Sequence, residues 1–377
     1  MKIQKKDCEA ILATIKKILP NSWNNLPVIF TRKSNRLIID VENVANVEES
    51  LIFHIYNAIN ADDELEDYES HKTTTNELKP WLVEMTANGS CPSLPAACEH
   101  DYEGVKYDDK GFGFYTWELD KKQLENVELF GSFSLSDIIV STCTHFAKDG
   151  SVYATNGVRL IKMQTAKKVT GKPEEFELAP CPNENLELAH TFLKKSGGSF
   201  CEFGYNGKGN GSLTAWSESG NLYMYYAFYK LHESDRPTIK VFEEVLPGEE
   251  GTPEVLCELE MSKVQSSFET LKNFMRVDHR RFSDCNYIIK SEGMELIAGL
   301  DHYSHGASLG KGNKKEWNLK FSGDVGKLEK IIKKHGKKAA TIKILEVDPF
   351  RVTLDFIDAD GKSVQDCPTV FACRISR

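Results

Sequence analysis

The chain has 377 residues, 40% of them hydrophobic and 27% charged, with a formal net charge of -9. That length supports two or three domains with their own cores, and the composition is ordinary for a globular protein. No apolar run approaches the length of a membrane span, and the acidic balance argues against a simple basic nucleic-acid binder.

The opening Met1–Asp7 carries no signal-peptide pattern, and the ten cysteines form no C-x-x-C pair. Reduced, mostly buried thiols in a cytoplasmic protein are therefore expected. A first helix is predicted over Asp7–Leu19, from apolar residues at helical spacing behind an acidic start. Leu37–Val41 reads as a strand, and Thr75–Met85 as a second helix that stops at Gly89. The spacing next predicts a helix from Phe133 to Lys148, its apolar residues running from Ser134 to Ala147. Ser151–Met163 follows as strand, Thr155-Asn156-Gly157 turn and strand, because Asn-Gly tolerates the positive φ that a tight hairpin requires. Another helix, Asn183–Lys195, stops at Gly197 and leads into a strand at Ser199–Phe203. The last third repeats the grammar with helix Ser262–Met275, strand Asn286–Lys290, helix Asp324–Lys334 stopping at Gly336, and strand Thr341–Leu345.

The helices of the first type start near Asp7, Ser134 and Ser262, which are 127 and then 128 residues apart. Each third reads helix, strands, helix, strands, so an α+β fold built by internal triplication is expected. The predicted domains are 1–126, 127–252 and 253–377, with the Pro/Gly-bearing segment Leu246–Pro253 as the second linker.

Positive charge gathers on the predicted helices: Lys16 and Lys17, Lys194 and Lys195, Lys272 and Arg276, and Lys327, Lys330, Lys334 and Lys338. Acidic residues concentrate instead in loops such as Ala61–Glu69. Two readings stand side by side: ordinary solvated helix faces, or one helix-lined surface that neutralises phosphates without reading bases.

Other motifs lead to no chemistry. His302 and His305 beside Asp301 lack further ligands at zinc spacing and read as a loop. Gly207–Gly211 and Gly310–Lys314 lack the spacing of a phosphate loop and read as hairpin turns, and Asp358–Gly361 as a tight turn. No catalytic constellation, metal site or cofactor motif is expected.

Four stretches carry a resemblance. Ala154-Thr-Asn-Gly-Val-Arg-Leu160 is similar to A-T-D-G-H-R-L of the bacterial-type DNA polymerase sliding clamps, the beta subunits of the replicase. Phe242-Glu-Glu-Val-Leu-Pro247 is similar to their Y-R-R-V-L-P, Asn25-Leu-Pro-Val-Ile29 to T-L-P-I-L, and Val370–Ile375 to the terminal V-V-M-P-M-R-L. Val158 stands where that family usually has His, Ala372 and Cys373 replace Pro and Met, and Ser376-Arg377 overhang the usual end. This divergence fits a phage-encoded or otherwise remote member.

The resemblance implies three clamp domains, each with two helices and two small antiparallel sheets, closing head-to-tail into a homodimeric ring with helices inside. It implies non-specific binding of double-stranded DNA by the lysines and arginines above, and partnership with a DNA polymerase and a clamp loader. It also implies a partner-peptide pocket from Thr155, Gly157, Val158, Arg159, Leu160, Val245, Phe371, Ala372, Cys373, Arg374 and Ile375. For the dimer interface it implies Phe112 and Phe114, on an edge strand, against Phe274 and Met275. The competing expectations are a clamp-like interaction scaffold that never encircles DNA, and a Cys/His hydrolase with a deep polar pocket.

Overall fold

Helices start where strands end. The computed structural model has helices α1 (Lys5–Ile18), α2 (Thr75–Asn88), α3 (Lys121–Phe130), α4 (Asn183–Ser196) and α5 (Met261–Val277). Residues 3–18, 26–33, 35–42, 49–58, 71–88, 94–95, 114–130, 142–155, 160–170, 175–207, 209–228, 242, 254–277, 285–290, 293–298, 305–308, 310–312, 317–320, 333, 337–348, 351–364 and 369–374 are described. The strands of the first half are β1 (Pro27–Lys33), β2 (Arg36–Glu42), β3 (Ser50–Ile55), β4 (His71–Thr74), β5 (Phe114–Asp120), β6 (Cys143–Ala147), β7 (Ser151–Thr155), β8 (Leu160–Gln164), β9 (Ala166–Thr170) and β10 (Leu178–Pro182). Those of the second are β11 (Phe200–Tyr205), β12 (Gly211–Trp216), β13 (Leu222–Phe228), β14 (Glu254–Glu260), β15 (Cys285–Lys290), β16 (Gly293–Ala298), β17 (His305–Ser308), β18 (Gly310–Gly312), β19 (Trp317–Lys320), β20 (Thr341–Asp348), β21 (Arg351–Ile357) and β22 (Thr369–Arg374). α2, α3, α4 and α5 each begin on the residue after β4, β5, β10 and β14. This recurring strand-to-helix junction is the structural form of the repeat.

The expected helices at Asp7, Thr75, Asn183 and Ser262 are present as α1, α2, α4 and α5. Gly197 ends α4 with φ +77°, and its N–H donates to Leu193 O at 3.0 Å. Any other residue there would carry a Cβ into the side chains of Lys6 and Glu218. The helix expected over Ser134–Ala147 is corrected at its end: Cys143–Ala147 is strand β6, with all five residues buried, while Thr142 just ahead of it is helical and residues 134–141 lie outside the described residues. A run buried on both faces loses the alternation that distinguishes a strand, so apolar spacing alone misassigns it. A helix that the spacing did not predict, α3, lies ahead of this segment. It opens with a capping box, in which Gln123 N–H donates to Asp120 Oδ1 at 2.8 Å and Asp120 N–H to Gln123 Oε1 at 2.9 Å. The first helices of the three repeats thus begin at Lys5, Lys121 and Met261.

The chain groups into two compact units. The first comprises Met1–Glu125, Phe146–Gly150 and Thr165–Arg236, the second Asn126–His145, Ser151–Gln164 and Pro237–Arg377. The first unit holds a nine-stranded sheet in the order β4-β1-β2-β3-β13-β12-β11-β5-β9. Its middle joint is the antiparallel ladder of β3 with β13, with Phe53 opposite Met224 and Leu51 opposite Tyr226. Helices α1, α2 and α4 contribute Ile11, Ile15, Leu78, Leu82, Phe192 and Leu193 to the core. Phe192 stacks 6.4 Å from Phe53, and Trp81 meets Phe30 edge-on at 5.4 Å. Toward the β9 end the core is aromatic: Trp117, fully buried, stacks on Phe203 at 5.5 Å and donates its indole N–H to Ala147 O at 2.9 Å. In the second unit β8, β22, β19, β15, β16 and β17 follow one another, while β22 also pairs with β21, β21 with β20, and β20 with β14.

Asp7, in the first turn of α1, is buried at 2% exposure and accepts from Ser219 Oγ at 3.1 Å. Burial holds its carboxyl above the usual carboxylate range, against the hydrogen bonds of Ser219 and Ser217. The folded chain therefore binds more proton than the unfolded one just above the ordinary carboxylate pKa, and stability falls as pH rises through that window.

Two outcomes are expected. Trp117→Ala empties a fully buried site and leaves the Ala147 carbonyl with Gly150 N–H as its remaining donor, lowering stability by about 3–5 kcal/mol in urea unfolding. Asp7→Asn, which keeps an acceptor for Ser219, raises the thermal midpoint at neutral pH, and the gain fades below about pH 4 where Asp7 is protonated in both states. A gain that persists or grows in acid contradicts that origin.

Candidate functional site

Three sequence-distant segments converge in the second unit. The hairpin strands β7 and β8 pair from Ser151↔Gln164 to Thr155↔Leu160, and Asn156 and Gly157 between them lie outside the described residues. Thr155 and Leu160 close this ladder, exposed by 8% and 4%. β8 then pairs antiparallel with the C-terminal strand β22, Ile161 opposite Val370 and Lys162 opposite Thr369. One step further, the same register sets Leu160 opposite Phe371. Phe242 is the third element. Its ring stacks on Tyr153 of β7 at 5.0 Å and 15° and lies 5.1 Å from His145. The segments that carried the sharpest resemblance are thus neighbours, although some 80 residues separate β8 from Phe242 and over 120 separate Phe242 from β22.

β22 is crowded. Along Val370–Cys373 it pairs with β21, while β8 takes Thr369 and Val370 and β19 takes Cys373 and Arg374. Phe371 and Ala372 therefore lie between the ends of β8 and β19, at an interruption in one ladder. Of the predicted pocket residues, Thr155 and Leu160 are described fully, and Phe371, Ala372, Cys373 and Arg374 by their strand positions. Gly157, Val158, Arg159, Val245 and Ile375 lie outside the described residues.

The second candidate feature is the helix pair α1 and α4 of the first unit. The helices run antiparallel: Lys17, near the end of α1, pairs with Glu187 near the start of α4, while Lys6 lies beside Gly197 at the end of α4. Lys16, Lys17, Lys194 and Lys195 are all exposed, as the sequence predicts. They sit toward opposite ends of the pair, roughly 11–12 Å apart along the axes, because Lys17 lies level with Glu187 and the rise is about 1.5 Å per residue. Sequence reasoning missed Lys5 and Lys6. The antiparallel packing brings them to the Lys194–Lys195 end, where Lys6 reaches Glu218 at 2.5 Å. That ion pair holds the Glu218 carboxyl below its usual range. The sequence held a signal, since lysines in the first turn of a helix oppose its macrodipole and need another reason to be there. At the other end Glu187 pairs with Lys17. The face therefore gathers four lysines at one end and two at the other, where Glu187 offsets one of them.

The remaining predicted residues divide. Lys338 is exposed in a turn, Lys272, Arg276, Phe274 and Met275 lie on the last turns of α5, and Lys327, Lys330, Lys334 and Phe112 fall outside the described residues. The edge-strand expectation for Phe114 is corrected: β5 pairs with β11 on one side and β9 on the other, with Phe114 opposite Thr170. The strand itself is interior to its sheet, and its backbone has no open edge for a second subunit. Among the described residues no cluster of His, Cys, Asp and Glu is arranged to hold a metal ion, and no helix is long and apolar enough to cross a membrane.

No protein-family model and no curated protein matches the sequence. Solved structures do match. The chain is similar to the DNA polymerase III beta subunit of Pseudomonas aeruginosa at 11% identity and TM-score 0.63, with all of both chains covered. It is similar to the beta subunit of Thermotoga maritima at 12% identity and TM-score 0.64, covering 100% of this chain and 99% of that one. The Helicobacter pylori beta clamp bound to a DNA ligase peptide gives 11% identity, TM-score 0.64 and the same coverage. Over its whole length this chain has the fold of the bacterial sliding clamps.

Proposed function

We propose that the chain is a DNA sliding clamp, a processivity factor that encircles duplex DNA and tethers a polymerase, and is not itself an enzyme. The observation that carries the reading is the end-to-end match to clamp structures without loss of any segment at domain scale. It is supported by the positive end of the α1–α4 pair on an otherwise acidic chain of net charge -9. Lysines that neutralise phosphates without base-reading partners hold DNA weakly and non-specifically, as sliding demands. The three-domain division, 1–126, 127–252 and 253–377, belongs to this proposal, and α3 (Lys121–Phe130) spans its first boundary. Ring closure, the homodimer through Phe274 and Met275, the clamp loader and a cytoplasmic location are parts of the same proposal.

The partner-peptide pocket is proposed around the β8–β22 junction and Phe242. The Helicobacter pylori clamp was solved with a DNA ligase peptide, and a short apolar peptide of a polymerase is the proposed occupant here. Leu160, Val245, Phe371 and Ile375 would form its walls, and Arg159 or Arg374 would meet an acidic group. A scaffold that never encircles DNA draws support from one observation, the balancing of Lys17 by Glu187.

The expected outcomes separate the two readings. Replacing Lys5, Lys194 and Lys195 with Ala lowers the salt dependence of DNA binding by about one log unit per log salt for each phosphate that the variant no longer neutralises, with the melting curve unchanged. An unchanged slope favours the scaffold. In the pocket, Cys373→Trp blocks stimulation of the partner polymerase on primed circular DNA while DNA binding persists. Full stimulation by this variant means that the partner docks elsewhere.

A further inference from the structure

The nine-stranded sheet of the first unit turns one face to the helices and the other to solvent. At the hairpin end, Leu37, Ile55 and Leu222 are buried on the helix side. The residues alternating with them form an aromatic cluster on the open side. Trp216 of β12 is 44% exposed. Tyr56 stacks on it at 5.6 Å and 27°, and Tyr223 of β13 lies 4.8 Å away. His54 of β3 lies 5.6 Å from Tyr223, and the Arg36 guanidinium sits 5.6 Å above the Tyr56 ring.

Cross-strand aromatic pairs stabilise sheets, and this accounts for Tyr223 and His54. It does not account for leaving much of a Trp in water, nor for Arg36, whose Nε is buried with no hydrogen-bond acceptor. A buried donor without a partner is costly. Burial and the Arg36 charge push His54 down to about 4, so the imidazole is neutral and brings no charge to the cluster. The nearby Glu218 is already engaged by Lys6 at 2.5 Å. Arg36 is thus a cation set among aromatic rings with a donor still to satisfy.

The rim is held in place. Asn35 Nδ2 donates to Asn57 Oδ1 at 3.0 Å, and Asn57 Nδ2 to Asn221 Oδ1 at 3.1 Å. Asn57 adopts φ +56°, the left-handed region that Asn tolerates better than most residues. This amide ladder locks three successive turns side by side, and such pre-organisation lowers the entropy cost of docking.

We infer that this face docks an extended peptide segment of a partner protein in which an aromatic or aliphatic side chain stands beside a carboxylate. The apolar side chain packs on Trp216 and Tyr56, and the carboxylate pairs with the half-buried Arg36 guanidinium. Exposed Trp and Tyr around an Arg are the residue types that dominate binding energy at protein interfaces. Single-stranded nucleic acid also stacks on aromatics, but its backbone needs a track of cations. Here Glu202, 3.5 Å from Thr214 Oγ1, adjoins the cluster, and the chain is acidic overall.

The test uses the full chain and three fluorescein-labelled probes followed by polarisation: the peptide Gly-Phe-Asp-Phe-Asp-Gly, its counterpart with Lys in place of Asp, and oligo-deoxythymidine. The acidic peptide is expected to bind about tenfold or more tightly than the other two. Trp216→Ala and Arg36→Gln are each expected to weaken it about tenfold, with thermal unfolding near that of the parent because both side chains lie on the open face. Equal binding of the two peptides, preference for the oligonucleotide, no saturable binding, or undiminished binding by Trp216→Ala overturns the inference.

Discussion

The ladder between β3 and β13 is the interaction on which the first unit depends. It joins a sheet from residues 27–74 to strands from residues 200–228, pairing Leu222 with Ile55 and Ala227 with Ser50. Without it, each group of strands would end in an open edge, which is a site for aggregation. The joint also decides where the helices go. α1, which precedes the first strands, and α4, which precedes β11, lie side by side over one continuous sheet, and Phe192 of α4 stacks on Phe53 of β3. The lysines of the two helices share a face only because these two strands pair.

That face explains how an acidic chain can be read as a DNA-binding one. Net charge governs solubility and long-range steering, but contact depends on which charges share a surface. At one end of the α1–α4 pair four lysines gather and a single glutamate, Glu218, answers Lys6. Surface ion pairs contribute little to stability, so the pairs of Lys6 and Lys17 can be exchanged for phosphate contacts at small cost. On the clamp reading this is the required balance. Topology supplies retention, and the contacts need only be weak enough to slide.

Legibility in the sequence follows the range of the interactions. Local signals worked: helical spacing gave α1, α2, α4 and α5, Gly197 gave a helix end, and Asn156-Gly157 gave the β7–β8 hairpin. The failures needed information from far away. Cys143–Ala147 reads as a helix because burial on both sides hides its strand period. Phe114 reads as an edge residue because β9 and β11, which flank its strand, lie some 50 and 90 residues downstream. The pairing of β8 with β22 spans about 200 residues and only a resemblance hinted at it. One local signal was overlooked: Asp120-Lys-Lys-Gln123 ahead of Leu124 and Val127 is a helix-start box, and it announced α3.

The central claim is that the chain holds DNA by encircling it. The most direct measurement follows retention on a linear duplex whose two ends are blocked by bound streptavidin, through a high-salt wash, before and after one end is freed by a restriction cut. A ring loses its direct phosphate contacts in the wash but stays threaded, so protein remains on blocked DNA and leaves once an end is free. Equal loss from blocked and cut DNA in the wash, or equal retention on both, contradicts encirclement.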